Sequence, residues 1–170
     1  MSLAPPTATG TIHASCCVVG EAGVLVRGPS GSGKSSLCLA LLERAYRDGR
    51  HACFVGDDRI RLAVHHGRLV ASGHPTLTGM VEIRGAGFHR LARSAPGALV
   101  RLVVDLVPLR PRMPPEADGV TILGVRLPAL ALEPREPREY LVVEALASQC
   151  GDVASRSHPA ALSCDAPGPV

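Results

Sequence analysis

Gly28-Pro29-Ser30-Gly31-Ser32-Gly33-Lys34-Ser35 carries the clearest chemistry in the chain, because it fits G-x-x-x-x-G-K-[ST] in full. The glycines let successive backbone N–H groups turn inward around a phosphate. A helix starting here adds the positive end of its dipole to the same anion. The Lys34 amine can reach the terminal phosphates as a point charge. The Ser35 hydroxyl is a hard oxygen ligand for Mg²⁺. Lys34 is also the only lysine; the other basic residues are arginines. A compact ammonium fits inside a ring of backbone amides where a planar guanidinium is crowded. The pattern implies a nucleoside triphosphate or polyphosphate, with ATP and Mg²⁺ foremost. The bland alternative is a Gly/Ser-rich turn ahead of a helix.

Such a loop needs an acidic partner at the end of a neighbouring apolar strand. Two places offer one. CFVG runs into Asp57-Asp58, and LVRLVV runs into Asp105. Asp105 fits the usual run of apolar residues before an aspartate. The adjacent pair offers more, since one carboxylate can serve a metal while its neighbour accepts a proton from an attacking hydroxyl. Against these stand a turn-initiating acidic pair and a strand-end carboxylate bound to backbone. His13 precedes the loop in a strand, where a lone histidine is usually structural. In EIRGAG (82–87), Glu82 could ligate metal and Arg84 could bind phosphate; a surface ion pair is the alternative. Arg110 and Arg112 lie in a Pro-rich loop, where an arginine could neutralise transition-state charge or merely be solvated.

The elements that must position these groups are legible in outline. TIHASCCVV (11–19) reads as one strand, and VLVRG (24–28) as a strand entering the loop. Ser35 to about Arg47 reads as a helix with Leu37, Leu41 and Leu42 on one face. HACFVG (51–56), IRLAV, RLVAS, MVEIRG, ALVRLVVDLVP (98–108), VTILG and LPALAL read as strands, with a hairpin turn at His65-His66-Gly67. REYLVVEALAS (138–148) reads as a helix. Residues 1–10 read as a flexible leader, 11–149 as one α/β domain, and 150–170 as a loose tail.

Composition bounds the class. The 170 residues are 46% hydrophobic, enough for one real core, with no tryptophan. Net charge is +3, and the arginines are spread along the chain, which speaks against a nucleic-acid partner. No apolar run reaches the roughly 18 residues of a membrane span, and the N-terminus has no signal-peptide pattern. Six cysteines without a CxxC pair read as buried thiols in a reducing, cytoplasmic setting.

His-Ala-Ser before the loop, GPSGSGKS, VGDD and VEIRGAG occur in that order. Together they resemble the catalytic domain of HPr kinase/phosphorylase, over about Thr11 to Ala145. The resemblance implies a P-loop fold like the phosphoenolpyruvate carboxykinase core, with a mixed sheet and few helices. It implies a Mg-ATP-dependent kinase acting on a serine of the small phosphocarrier HPr or its nitrogen-branch paralogue, and assembly as a homo-oligomer, commonly a hexamer. His13, 21 residues before Lys34, matches the family's active-site histidine. Gly28 to Ser35 would bind ATP, with Ser35 on Mg²⁺; of the acidic pair, Asp57 is then left as the carboxylate that could serve the metal. Asp58 would take the proton from the carrier's serine and return it in the reverse reaction. Glu82 would be a further Mg²⁺ ligand. The family's later catalytic arginine falls on Arg112, with Arg110 as competitor.

Several features depart from the family. Full-length members carry an N-terminal domain, and this sequence looks like the short form of some proteobacteria. Pro29 stands where many members have Asp. The family's P-x-R-P-G-R-N loop, linked to dephosphorylation, is replaced by Glu-Pro-Arg-Glu-Pro-Arg-Glu (133–139), with Arg135 and Arg138 as counterparts. Two other functions compete with the protein kinase. One is an ATP-binding regulatory module with little turnover, and the other is a small-molecule kinase using Asp105.

Overall fold

A computed structural model describes residues 5–77, 79–83, 85–109, 119–134 and 136–150. Its strands are β1 (Ala8–Ile12), β2 (Ala14–Val19), β3 (Ala22–Arg27), β4 (Ala52–Gly56), β5 (Ile60–His65), β6 (Arg68–Ser72), β7 (Met80–Ile83), β8 (Gly87–Arg90), β9 (Gly97–Leu106), β10 (Gly119–Ile122) and β11 (Val125–Leu132). The helices are α1 (Lys34–Arg47) and α2 (Arg138–Cys150).

Long apolar runs decide the architecture. β2, β3 and β4 are buried along most of their length, not at alternate residues. Such strands must be covered on both faces. One face packs on the helices: Val24, Val26, Leu102, Val104 and Leu106 meet Leu37, Cys38, Leu41, Leu42 and Ala45 of α1 and Val142 of α2. The other face meets a second branch of the same curled sheet, through Leu25, Val55, Ile60, Leu62, Leu69 and Val103. A fully buried leucine in either layer contributes about 1.5–3 kcal/mol. Its truncation to alanine would cost more, because a cavity remains.

Among the described residues, nine strands join in the order β1-β5-β6-β9-β3-β2-β4, with β11 on β9 and β10 on β11; β7 and β8 form a separate hairpin. Pairing of β9 with β3 and with β11 is parallel, while the β2–β3, β2–β4 and β6–β9 pairs are antiparallel. The sheet is therefore mixed, with few helices, as the sequence implies.

Two expectations need correction. The strand read over 11–19 is two strands, broken at His13. β1 pairs with β5 in one branch and β2 with β3 and β4 in the other, so the chain changes branch at that residue. Residues 8–10 are not a leader, because they belong to β1 and pair with Val64, Ala63 and Leu62. The tail reading lies outside the described residues apart from Cys150, which ends α2. Cys16, Cys17, Cys38 and Cys53 are buried free thiols. Burial pushes the Cys16 thiol up, and a hydrogen bond with Cys17 followed by burial does the same for Cys38. No described helix is long and apolar enough to cross a membrane.

β3 and β9 approach closely at Gly23, where an added Cβ would lie 2.5 Å from the Leu99 carbonyl oxygen. That atom belongs to the central strand and cannot swing aside. Gly23→Ala should therefore destabilise the domain by about 1–3 kcal/mol. Thermal unfolding followed by circular dichroism should show a melting temperature several degrees lower.

Candidate active site

The site forms where the chain crosses between branches. His13 lies at the crossing from β1 to β2, and Asp57-Asp58 lie between β4 and β5. The phosphate loop leaves the end of β3 and enters α1. These three segments line one cleft of ≈ 430 Å³, together with Glu82 and Ile83 from the β7–β8 hairpin.

Lys34, at the first turn of α1, is only 7% exposed. Its Nζ donates to the Gly28 and Pro29 carbonyl oxygens, both at 3.1 Å, and to His13 Nε2 at 2.9 Å. An ammonium can only donate, so Nε2 must be the bare nitrogen and Nδ1 must carry the proton. Nδ1 in turn faces Asp58, at 2.7 Å from Oδ1 and 3.2 Å from the backbone oxygen. The imidazole thus spans the gap between the lysine and the aspartate and fixes the carboxylate's orientation. The Asp58 side chain is 66% exposed, so a large partner can reach it.

Asp57 faces inward. It accepts from the Ser35 hydroxyl at 2.9 and 2.7 Å, and from the buried Ser15 hydroxyl. Ser35 Oγ and the Asp57 carboxylate are therefore adjacent hard oxygens at the loop's edge, with Glu82 in the same cleft. Among the described residues no group of three or more His, Cys, Asp or Glu is arranged to hold a metal. A cation here would need oxygens from a ligand and from water to complete its shell, which is Mg²⁺'s usual habit beside phosphates.

The loop itself suits an anion. Gly33 caps α1 with no side-chain bond, so the amides of the first turn lack partners within the helix. At Gly28 a Cβ would fall 2.8 Å from Ser32 Oγ and 2.9 Å from the Leu106 oxygen, so only glycine allows this turn. Ser32 Oγ is buried with no partner among the described residues. Pro29 is exposed at the loop's outer side, and its carbonyl accepts from the Ser32 N–H at 3.2 Å as well as from Lys34.

Asp105 does not share this site. Both its oxygens are taken by Arg27, at 2.7 and 2.6 Å, across the β3–β9 ladder. It does not line the cleft, whereas Asp57 and Asp58 do. Arg138, from the altered 133–139 stretch, donates to the Ser32 carbonyl at 3.2 Å and to the Glu133 carbonyl at 2.9 Å. Arg84, Arg110, Arg112 and Arg135 lie outside the described residues. Sequence reasoning missed Ser15 as a partner of Asp57. Its place two residues after His13, on the same strand run, was the available signal.

The fold and cleft define an α/β domain of the phosphate-loop type. The HPr serine kinase C-terminal domain model matches residues 4–151, and the chain belongs to that family. The HPr kinase/phosphorylase of Geobacillus kaustophilus is 32% identical over 158 residues, covering 86% of this chain and 48% of that protein. The Mycoplasma mycoides HPr kinase/phosphorylase is 36% identical over 105 residues, covering 58% and 32% respectively. The chain thus spans about half or less of the length of these relatives. The HPr(Ser) kinase/phosphatase structure from Coxiella burnetii superposes with a TM-score of 0.66 at 27% identity, covering 83% of this chain and 90% of that one.

Asp58 has a φ of 63°, a left-handed conformation that strains a residue with a Cβ. Asp58→Gly should be more stable than Asp58→Ala by about 1 kcal/mol, since only glycine relieves the strain. Urea titration of the two variants checks this. Equal midpoints would show that the backbone there is unstrained.

Proposed function

We propose that this domain is a Mg-ATP-dependent kinase that phosphorylates a serine of a small HPr-like phosphocarrier. The observation that carries the reading is the Lys34–His13–Asp58 line, which sets an exposed, oriented carboxylate beside a phosphate loop. Asp58 accepts the proton of the attacking serine hydroxyl while that oxygen bonds to the γ-phosphorus of ATP and the bond to the β–γ bridging oxygen breaks. Lys34 and the amide-rich start of α1 balance the charge of the transferring group and of ADP. Mg²⁺, when bound, neutralises the phosphates, and Ser35, Asp57 and Glu82 are the residues that would hold it. Phe88 pairs with Glu82 across the β7–β8 hairpin and is 60% exposed. It offers a protein substrate an apolar contact at the rim.

Support is stronger for the forward reaction. Arg138, one counterpart of the family's dephosphorylation loop, is committed to the Ser32 carbonyl and is not in the cleft lining. An ATP-binding module without turnover would share the loop but would not need an oriented, open Asp58.

The test is incubation with carrier, Mg²⁺ and γ-labelled ATP, followed by mass spectrometry of the carrier. The wild type should label one serine. Asp58→Asn should lose transfer by at least about a hundredfold while keeping nucleotide affinity within a few fold. Nucleotide binding with no label on any carrier would leave the regulatory module instead. Lys34→Arg should also be inactive despite its charge, because a planar fork cannot satisfy three convergent acceptors in a buried pocket. Full activity of Lys34→Arg would refute that fit.

A further inference from the structure

Among the described residues two polar residues are buried as a whole, Lys34 and Ser15. The phosphate-loop motif calls for the first and says nothing of the second. Ser15 has no exposed surface, and its strand neighbours Ala14, Cys16 and Cys17 are all core residues. A hydroxyl in such a place needs a partner, because burial without one costs free energy. The partner is the Asp57 carboxylate, 42 residues away.

The pairing of β2 with β4 brings the two together. Cys17 pairs with Phe54 but Cys16 pairs with Gly56, so Val55 is the extra residue of a bulge in β4. Continuing that register sets Ser15 opposite Asp57. Without the bulge Asp57 would fall opposite Ala14, whose side chain has no donor. The Asp57 carboxylate has about four lone-pair sites to fill. Oδ1 accepts from Ser15 and also from Ser35 at 2.9 Å, while Oδ2 accepts from Ser35 at 2.7 Å, the Ser35 proton being shared between them. Oδ1 is thereby filled, and only Oδ2 keeps room for another partner. Take away the Ser15 hydroxyl, and both oxygens have a lone pair to offer.

Hard cations differ in how they take a carboxylate. Ca²⁺ has a large, flexible shell and accepts both oxygens of one carboxylate, whereas Mg²⁺ demands a tight octahedron in which that two-oxygen bite fits poorly. From this we infer that Ser15 is a positioning residue that makes Asp57 a one-oxygen donor, and so biases the site toward Mg²⁺ over Ca²⁺. The inference rests on the reading of Asp57 as the carboxylate that serves the metal, and adds to it the residue that sets which metal is preferred. Ser15 touches neither nucleotide nor carrier in this role. It acts through Asp57 alone, from the interior side of the strand.

The test is fluorescence titration of the full chain with N-methylanthraniloyl AMP-PNP, an ATP analogue that is not hydrolysed, in saturating Mg²⁺, in saturating Ca²⁺ and in EDTA. No phosphate transfer enters the readout. The wild type should bind more tightly with Mg²⁺ than with Ca²⁺. In Ser15→Ala that preference should shrink by at least about fivefold, with the affinity in EDTA unchanged within about twofold. Ser15→Thr, which keeps the hydroxyl, should restore it. In an Asp57→Asn background Ser15→Ala should leave the ratio where it is, because no carboxylate remains to be held. Should Ser15→Ala not fold, Ser15→Cys keeps the volume with a weaker donor and should shift the ratio in the same direction. A wild type whose nucleotide affinity ignores both cations defeats the Mg-ATP reading and this inference together. A cation-dependent wild type that prefers Ca²⁺, a preference unchanged in Ser15→Ala, an equal shift in the Asp57→Asn background, or no restoration in folded Ser15→Thr overturns the inference alone.

Discussion

One buried ammonium organises the site. Taking a cation out of water is tolerable only when its donors are satisfied. Lys34 has three donors and meets three acceptors: two loop carbonyls and one imidazole nitrogen. The carbonyls draw the loop into its closed turn. The imidazole, having given its lone pair to the lysine, must present its proton to Asp58. Loop shape, histidine tautomer and carboxylate orientation thus follow from the identity of a single side chain. An arginine would point its donors along a planar fork and leave some of these acceptors unmet.

The sheet makes this convergence possible. Its two branches share β9, and the chain passes from one branch to the other at His13 and again at Asp57-Asp58. Residues at such crossings are released from ladder pairing. They can take conformations a strand forbids, as the positive φ of Asp58 shows. The Arg27–Asp105 pair, by contrast, lies within a ladder, and its bidentate geometry braces the end of β3 from which the loop departs. The two candidate aspartates of the sequence have different partners, Ser35 and Arg27, because one sits at a crossing and the other on a strand.

Much of this was readable beforehand, for local reasons. A phosphate loop is contiguous, so GPSGSGKS announces itself, and the apolar spacing after it outlines α1. The elements His13, Asp57-Asp58 and Glu82 stand out as a series in order. What could not be read was pairing over distance. Nothing in TIHASCCVV says that the strand changes partners at His13, because its apolar run continues through Ala14 and Cys16 on the far side. Residues 8–10 look like a leader by composition and become strand only because β5 offers them an edge. Asp105 fits the pattern of a metal ligand better than Asp57 does. Only the β3–β9 register reveals that Arg27 already holds it.

The loop's underside is closed by Arg138, 106 residues beyond its acceptor Ser32, while the Arg27–Asp105 brace spans 78. Closing such long loops costs chain entropy before any contact repays it. During synthesis, then, the eight-residue motif emerges from the ribosome long before the groups that brace it. Until Arg138 follows, a growing chain carries the loop sequence without the support that shapes it.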